Sequence, residues 1–205
     1  MRHYRIIYSS VALAVLILNA AFSWSAYAAE IKATNKVVTI QGDIEIGDRD
    51  KLLSVLQKNP TVKTVILSSG GGNLGEATFI ADLIIDYDLN THVIKNCESA
   101  CSDIQLAGAK RTMELGSRIG YHQPTWEVEE LREAYEENPK EWNNNHFEFA
   151  LWVDQVAMNT TFANLQYLLE RDVNPLFAIK TLQAQSDDMW YPRRKELLKA
   201  NVLTE

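Results

Sequence analysis

Hydrophobic positions along the middle of the chain change period repeatedly, and this pattern predicts strands and helices in alternation. Residues 37–40 are mostly β-branched, which favours a strand. Asp48 can cap a helix that carries leucines at helical spacing and ends near Asn59. Residues 62–67 form a nearly continuous apolar run, which indicates a strand buried on both faces.

The same alternation continues as far as Pro124. A glycine turn at residues 68–73 precedes a helix whose apolar residues recur every three or four positions between 77 and 85. The following segments predict, in order, a strand at 91–94, a short helix at 99–109 and a strand at 118–122. This order of elements favours an α/β fold built from repeated strand–helix units.

The character of the chain changes after Pro124, where we expect an added helical region. Residues 126–141 are rich in glutamate and predict a solvated helix, and residues 147–169 predict a long one. Asn174-Pro175 opens a further helix, and short strands are expected at 189–191 and 202–203. The prediction is one domain over residues 29–205, with a helical insertion at about 125–185.

The first 28 residues have the three-part layout of a secretory signal peptide. Arg2 and Arg5 are followed by an apolar run at 11–22, and Ala26-Tyr27-Ala28 is a small-x-small cleavage pattern. The apolar run is short for a bilayer span, and no other apolar run of sufficient length follows it. We therefore expect no membrane-spanning segment after cleavage. We expect export across the inner membrane, to the periplasm if the source is Gram-negative.

Composition limits the class of partner. The chain has 205 residues with 20 basic and 27 acidic side chains, a net charge of −7. Cleavage after residue 28 leaves 177 residues and, because two arginines are lost, a net charge of −9. An acidic chain of this kind lacks the basic surface that a nucleic-acid-binding protein needs.

Two cysteines lie four residues apart, at Cys97 and Cys101. In an oxidising compartment a disulfide between them is expected, because adjacent helical turns bring Cα atoms to about 6 Å. Two free, buried thiols are the alternative. The spacing does not match the paired ligands of a zinc site, so no metal is predicted.

The glycine turn allows three interpretations. Residues 70–75 match G-x-G-x-x-G between a strand and a helix, which is typical of dinucleotide sites, although the next strand is expected to end at Lys95-Asn96, slightly before the acidic Glu98. A tight turn that needs small residues is the simplest alternative. Exposed N–H groups in such a turn can also hold an oxyanion, next to a nucleophile such as Ser99 and a base such as His122.

Four blocks of sequence then resemble the proteolytic subunit of Clp protease and its relatives in the crotonase-like superfamily, most closely the exported Clp-like proteins of bacteria. The blocks are Ile40-Gln41-Gly42-Asp43-Ile44, Leu67-Ser68-Ser69-Gly70-Gly71, Ser99-Ala100 with Ala107-Gly108, and Gly120-Tyr121-His122-Gln123-Pro124. Their order, rather than any single block, carries the resemblance.

The resemblance implies a role for each matching residue. Ser99 would be the nucleophile and His122 its general base, while the N–H groups of Gly71 and Ala100 would form the oxyanion hole. A substrate peptide would add as a strand beside the glycine turn. The resemblance also implies a homo-oligomer, with the helical region after Pro124 as the contact surface, and no cofactor.

The sequence departs from the family pattern at three points. Ser69 stands where the family has proline before the two glycines. The acidic stretch lengthens the chain between His122 and the expected third member of a triad, for which Asp188 is favoured over its neighbour Asp187. The two cysteines also flank the expected nucleophile.

Three functions remain open from the sequence. The first is an exported serine hydrolase that acts on peptides through Ser99, His122 and Asp188. The second is a non-catalytic binding or scaffold protein that keeps the fold, in which Ser99 only caps its helix. The third is a crotonase-like acyl-thioester enzyme, against which export argues because such substrates are cytoplasmic.

Overall fold

The computed structural model describes residues 28–205 except 127, 138, 143 and 144. Residues 1–27 of the predicted signal peptide therefore lie outside the described residues. The strands are β1 (Glu30–Thr34), β2 (Val37–Gln41), β3 (Thr64–Ser69), β4 (Asn90–Glu98), β5 (Arg111–Met113) and β6 (Arg118–Gly120). The helices are α1 (Asp48–Lys58), α2 (Leu74–Asp86), α3 (Ala100–Leu106), α4 (Val128–Glu137), α5 (His146–Glu170), α6 (Pro175–Lys180) and α7 (Arg194–Lys199).

One six-stranded sheet forms the centre of the described structure. Its order is β1-β2-β3-β4-β5, with β6 also paired to β4 further along that strand. Strands β2 to β6 pair in parallel, and β1 runs antiparallel to β2. Parallel strands need helical crossovers, which α1, α2 and α3 provide, and the predicted α/β class is therefore confirmed.

The core lies where the strands meet helices α1 to α3. The strand residues Val38, Val65 and Leu67 have no exposed surface, because helices cover this part of the sheet. From α2, Ile80 and Ile84 are equally buried, one helical turn apart, as their spacing predicted.

The start of α1 differs from the prediction that Asp48 caps it. Gly47 occupies the N-cap position with φ 98°, and Asp48 is the first helical residue. The buried carboxylate of Glu76, from α2, accepts hydrogen bonds from Gly47 N at 3.1 Å and Arg49 N at 2.6 Å. A side chain distant in sequence therefore satisfies N–H groups that local capping was expected to satisfy.

The glycine turn joins β3 to α2 and is bonded to the first matched block. Ile44 N donates to Gly71 O at 2.7 Å, and Asn73 N donates to Ile44 O at 2.8 Å. Gly72 has φ 127°, and a Cβ there would overlap Ile44 O. Glycine is thus required at this position both by backbone conformation and by close approach of a neighbouring strand.

Helices α4 and α5 contact each other through an aromatic cluster. Trp142 lies 4.9 Å from Trp152 and 5.4 Å from Phe149 between ring centroids, and Tyr135 of α4 stacks on His146 at 4.7 Å. Leu168 is the one fully buried residue of α5, near its end. The long predicted helix therefore exists, but most of it packs on few other residues.

The C-terminal segment returns to the sheet and holds the end of β6. Tyr121 N donates to Trp190 O at 3.0 Å, and Trp190 N donates to Tyr121 O at 2.9 Å. Gln105 Nε2 and Arg111 Nε both donate to Val202 O, at 3.1 and 3.2 Å. The last residues of the chain are thus bonded to α3 and β5.

The strand predictions from the sequence need four corrections. Residues 189–191 form no strand, and Trp190 makes only an isolated bridge to Tyr121. Residues 202–203 form no strand, and the Val202 carbonyl accepts from the side chains of Gln105 and Arg111 rather than from a neighbouring strand. Strands β1 and β5 were not predicted: β1 alternates half-buried and exposed residues without a strong apolar signal, and β5 has three residues. None of the helices among the described residues is long and apolar enough to cross a membrane.

Candidate active site

Ser99 lies at the junction between β4 and α3 in a backbone conformation that L-residues rarely adopt. Its φ is 53° and its ψ is −129°. Two bonds fix this junction: Ser99 N donates to Gly120 O at 3.0 Å, and Ser102 Oγ donates to Ser99 O at 2.7 Å. The Ser99 side chain makes no capping hydrogen bond, although the residue occupies the N-cap position. Its hydroxyl is therefore available for another partner.

That partner is His122. The Nε2 atom of His122 lies 2.7 Å from Ser99 Oγ, within hydrogen-bond distance. His122 follows Tyr121, whose backbone is paired with Trp190, so the imidazole is positioned by a segment far along the chain. A serine hydroxyl in contact with an imidazole nitrogen is the pairing that general-base activation of a nucleophile requires.

Among the described residues, no carboxylate contacts the other ring nitrogen of His122. Nδ1 is buried without a hydrogen-bond partner among the described residues. Asp187 and Asp188 are exposed, and Asp188 Oδ1 accepts from Met189 N at 2.7 Å. The expected hydrogen bond between Asp188 and His122 is thus absent, because the aspartate bonds to the backbone of its own turn. The geometry is that of a Ser–His dyad.

Gly71 brings the glycine turn against Ser99. A Cβ built on Gly71 would lie 2.7 Å from Ser99 Cβ and 3.3 Å from Ala100 N, so only glycine fits between them. Its φ of 108° is also unfavourable for other residues. The two expected oxyanion donors, Gly71 and Ala100, therefore lie close to one another and to the serine.

The two donors differ in their present partners. The N–H of Gly71 donates to Ser69 Oγ at 3.1 Å. Ala100 is the first residue of α3, where an N–H has no carbonyl to bond within the helix and the helix dipole favours negative charge. Ala100 is therefore the stronger candidate donor in this arrangement.

A disulfide joins Cys97 and Cys101 across the serine junction. Both cysteines are fully buried, and their Cα atoms lie 5.2 Å apart. The bridge connects the end of β4 to the first turn of α3, the two elements between which Ser99 is held. Of the two states that the sequence left open, the structure has the oxidised one.

Glu98 ties the same junction to the C-terminal segment. Its Oε1 accepts from Tyr191 Oη at 2.9 Å and lies 3.4 Å from Arg118 Nε. The Arg118 guanidinium also lies over the Tyr191 ring, 4.6 Å from its centroid. Neighbouring residues on both sides of Ser99 are thus held in place.

Asp103, four residues after Ser99, was not singled out as functional by the sequence. Burial raises its pKa to about 7, and the amide of Asn164 from α5, 3.4 Å from Oδ1, opposes part of that rise. Tyr167 Oη donates to the Asp103 carbonyl at 2.9 Å. Asp103 therefore lies at the contact between the helix behind the serine and the long helix α5.

Within the described residues, no group of three His, Cys, Asp and Glu side chains is arranged to hold a metal ion. The chemical groups that the site brings together are a side-chain hydroxyl, an imidazole and two backbone N–H groups. Such a set is suited to attack on a carbonyl carbon followed by stabilisation of the resulting anion.

Comparison with known proteins supports the fold. No protein-family model and no curated protein matches the sequence. Among solved structures, the chain is similar to a ClpP1 mutant from Listeria monocytogenes, with a TM-score of 0.58 and 17% sequence identity. The match covers 83% of this chain and 90% of that one. The chain therefore has a Clp-like fold, as the four sequence blocks predicted.

Proposed function

We propose that this chain is an exported serine hydrolase that cleaves peptides with a Ser99–His122 dyad. The observation that carries the proposal is the 2.7 Å contact between Ser99 Oγ and His122 Nε2. A hydroxyl that only capped a helix would bond to backbone N–H groups, and this one does not. The unusual φ of Ser99 is also of the kind that active sites retain.

The proposed reaction has two steps. Ser99 Oγ attacks the peptide carbonyl carbon while His122 Nε2 takes the hydroxyl proton, and the N–H groups of Ala100 and Gly71 stabilise the oxyanion. The C–N bond then breaks, and His122 returns the proton to the leaving amine. Water, activated by the same imidazole, hydrolyses the acyl-enzyme and restores the serine.

A dyad without a carboxylate supports a slower reaction than a full triad. In a triad the acid orients the imidazole and stabilises its charged form. Here the backbone pairing of Tyr121 with Trp190 holds the histidine in place, but no group in the described part of the chain bonds to Nδ1 to stabilise the imidazolium. We therefore propose a hydrolase of low turnover.

A non-catalytic binding protein is the second candidate. Two observations favour it: Nδ1 of His122 has no partner among the described residues, and Ser69 already accepts the Gly71 N–H. A protein of this kind would bind partners through the same fold with no covalent step. It predicts equal partner binding by wild type and Ser99→Ala.

Labelling with a fluorophosphonate separates the two candidates. Attack by Ser99 Oγ on phosphorus expels fluoride, and mass spectrometry then finds the adduct on the peptide that contains residue 99. We expect labelling of wild type and of the control Ser68→Ala, and none of Ser99→Ala or His122→Ala. Labelling of Ser99→Ala equal to that of wild type would overturn the assignment of the nucleophile.

Export is proposed from the sequence of residues 1–28. The test is expression of the full chain in a Gram-negative host, followed by cell fractionation and mass measurement. We expect a periplasmic product that begins at Ala29. An intact N-terminus in the cytoplasmic fraction would contradict the proposal.

Association with further copies of the same chain is proposed through α5. Phe147, Leu151, Met158 and Phe162 are each between 62% and 82% exposed, and their spacing along the helix aligns them as a stripe. We expect light scattering to find an oligomer, and Leu151→Glu with Phe162→Glu to reduce its mass. Wild-type protein that stays monomeric at micromolar concentration would contradict the proposal.

A further inference from the structure

Ser69, the last residue of β3, touches the peptide group that we assign to the oxyanion hole. Gly71 N donates to Ser69 Oγ at 3.1 Å, and Ser69 Oγ can in turn donate to Gly71 O at 3.3 Å. Ser69 is 3% exposed, so water does not displace its hydroxyl from these contacts. A serine oxygen that accepts from the amide two residues later is a common way to stabilise a tight turn.

This contact occupies an N–H group that the proposed reaction needs for the oxyanion. An N–H group carries one proton, and a proton directed at Ser69 Oγ is not fully directed at a substrate oxygen. Oxyanion stabilisation depends on donors that are already oriented before the reaction begins. With the Gly71 N–H engaged, that donor is less available to a substrate oxygen than its position against Ser99 would allow.

We propose that Ser69 is a positioning residue that competes with the substrate oxyanion for the Gly71 N–H. The inference rests on the proposed hydrolase function and deepens it. Attack by Ser99 requires the Gly71 N–H to leave Ser69 Oγ or to share its proton, and that exchange offsets part of the stabilisation of the anion. Ser69 thereby lowers the rate of the covalent step without changing how tightly a substrate first binds.

Replacement of Ser69 by alanine tests this competition. The variant removes one oxygen atom and leaves the Gly71 N–H without its present acceptor. The neighbouring Ser68→Ala is a matched control, because Ser68 is also a buried serine of β3, whereas the Gly71 peptide group is bonded to Ser69. The measurement is the rate of fluorophosphonate labelling at Ser99 as a function of probe concentration, which separates initial binding from the covalent step.

We expect the covalent rate constant of Ser69→Ala to rise about fivefold to tenfold, in line with the release of one hydrogen-bond donor. The probe concentration at half-maximal rate should be unchanged, and Ser68→Ala should behave as wild type. A purely structural role for Ser69 would instead lower the melting temperature and slow labelling. To separate these effects, labelling is compared at a temperature where both proteins are folded by circular dichroism.

The outcomes distinguish this inference from the proposed function. Labelling of wild type at Ser99 with no acceleration in Ser69→Ala overturns the inference alone. Absence of labelling in both proteins overturns the hydrolase function and the inference with it. Labelling of Ser69→Ala where wild type is inert supports both, since the competing hydroxyl would then hold the site inactive.

Discussion

Ser99 combines the position of a nucleophile with a backbone conformation that disfavours any side chain. A non-glycine residue at such a φ costs about 1–3 kcal/mol of folding free energy. The disulfide, the Gly120 carbonyl and Ser102 hold the residue there in spite of that cost. The backbone strain is thus concentrated at the residue that we propose as the nucleophile.

Ser99→Gly should therefore be more stable than Ser99→Ala. Both variants lack the hydroxyl and should fail to label with a fluorophosphonate, but only glycine adopts a positive φ without strain. We expect a difference of about 1 kcal/mol in the free energy of unfolding, measured by urea denaturation. An alanine variant as stable as the glycine variant would contradict the idea of strain at this residue.

Gly71 is constrained by its neighbours as well as by its own backbone. Gly71→Ala should lose about 2 kcal/mol more stability than Gly116→Ala. Both glycines have positive φ, but a Cβ at Gly116 meets nothing within 4 Å, whereas one at Gly71 meets Ser99 and Glu98. Urea denaturation of the two variants gives the comparison, and equal losses would show that the close approach is unimportant.

At the scale of elements, the disulfide connects β4 to α3 around the serine. The double variant Cys97→Ala with Cys101→Ala should lose about 2 kcal/mol of stability, because the closed loop is short. Fluorophosphonate labelling should also slow, since the junction that presents Ser99 gains freedom.

The control for this prediction is the native chain treated with a reductant. Both cysteines are fully buried, so we expect the reductant to open the bridge only after denaturant is added. A thiol reagent should then modify the two thiols that result. Labelling of the thiols in the folded protein would indicate that the junction opens readily. A double variant with unchanged stability and unchanged labelling would show that the bridge has no role in presenting the serine.

At the scale of the whole molecule, Asp103 makes stability depend on pH. Burial raises its pKa from 3.8 to about 7, so the folded state binds this proton more tightly than the unfolded state does. Stability should therefore fall as the pH rises from about 4 to about 7, and stay low above that range. Tyr121 and Tyr167, which lie near this carboxyl, remain neutral throughout the same range because burial raises the pKa of each.

Asp103→Asn should remove this dependence. At pH 8 we expect the variant to be more stable than wild type by about 2 kcal/mol, and at pH 4 the two should be similar. Melting temperatures across this range give the measurement, with the exposed Asp154→Asn on α5 as control. If the melting temperatures of wild type and Asp103→Asn changed by the same amount with pH, the pH dependence would not come from Asp103.

Much of the fold was predictable because its strongest signals are local. The strand around Val65 is a buried apolar run, and α2 carries its buried residues at helical spacing, so pattern alone identifies them. Strand β5, with three residues, leaves no such pattern, and it forms because β4 offers it an edge. Glu76 caps α1 from a distance of 27 residues or more, which no local capping rule anticipates.

Part of the candidate site was also predictable from the sequence. Ser99, His122, Gly71 and Ala100 were identified through the order of four blocks, and the structure brings all four together. Asp188 was expected to orient the histidine, but its bond to Met189 N depends on the local turn, which spacing from His122 does not reveal. The Ser69 contact was also missed, since a serine two residues before a glycine is too common to attract notice.

The pairing of Tyr121 with Trp190 has a consequence for the order in which the molecule is made. During synthesis Ser99 is added long before Trp190. The backbone pairing between Tyr121 and Trp190, which positions His122, therefore cannot form until the C-terminal segment has been made. Under the proposed export and catalysis, Ser99 would therefore be idle until the chain is complete. Activity of the proposed dyad would begin only when Trp190 pairs with Tyr121.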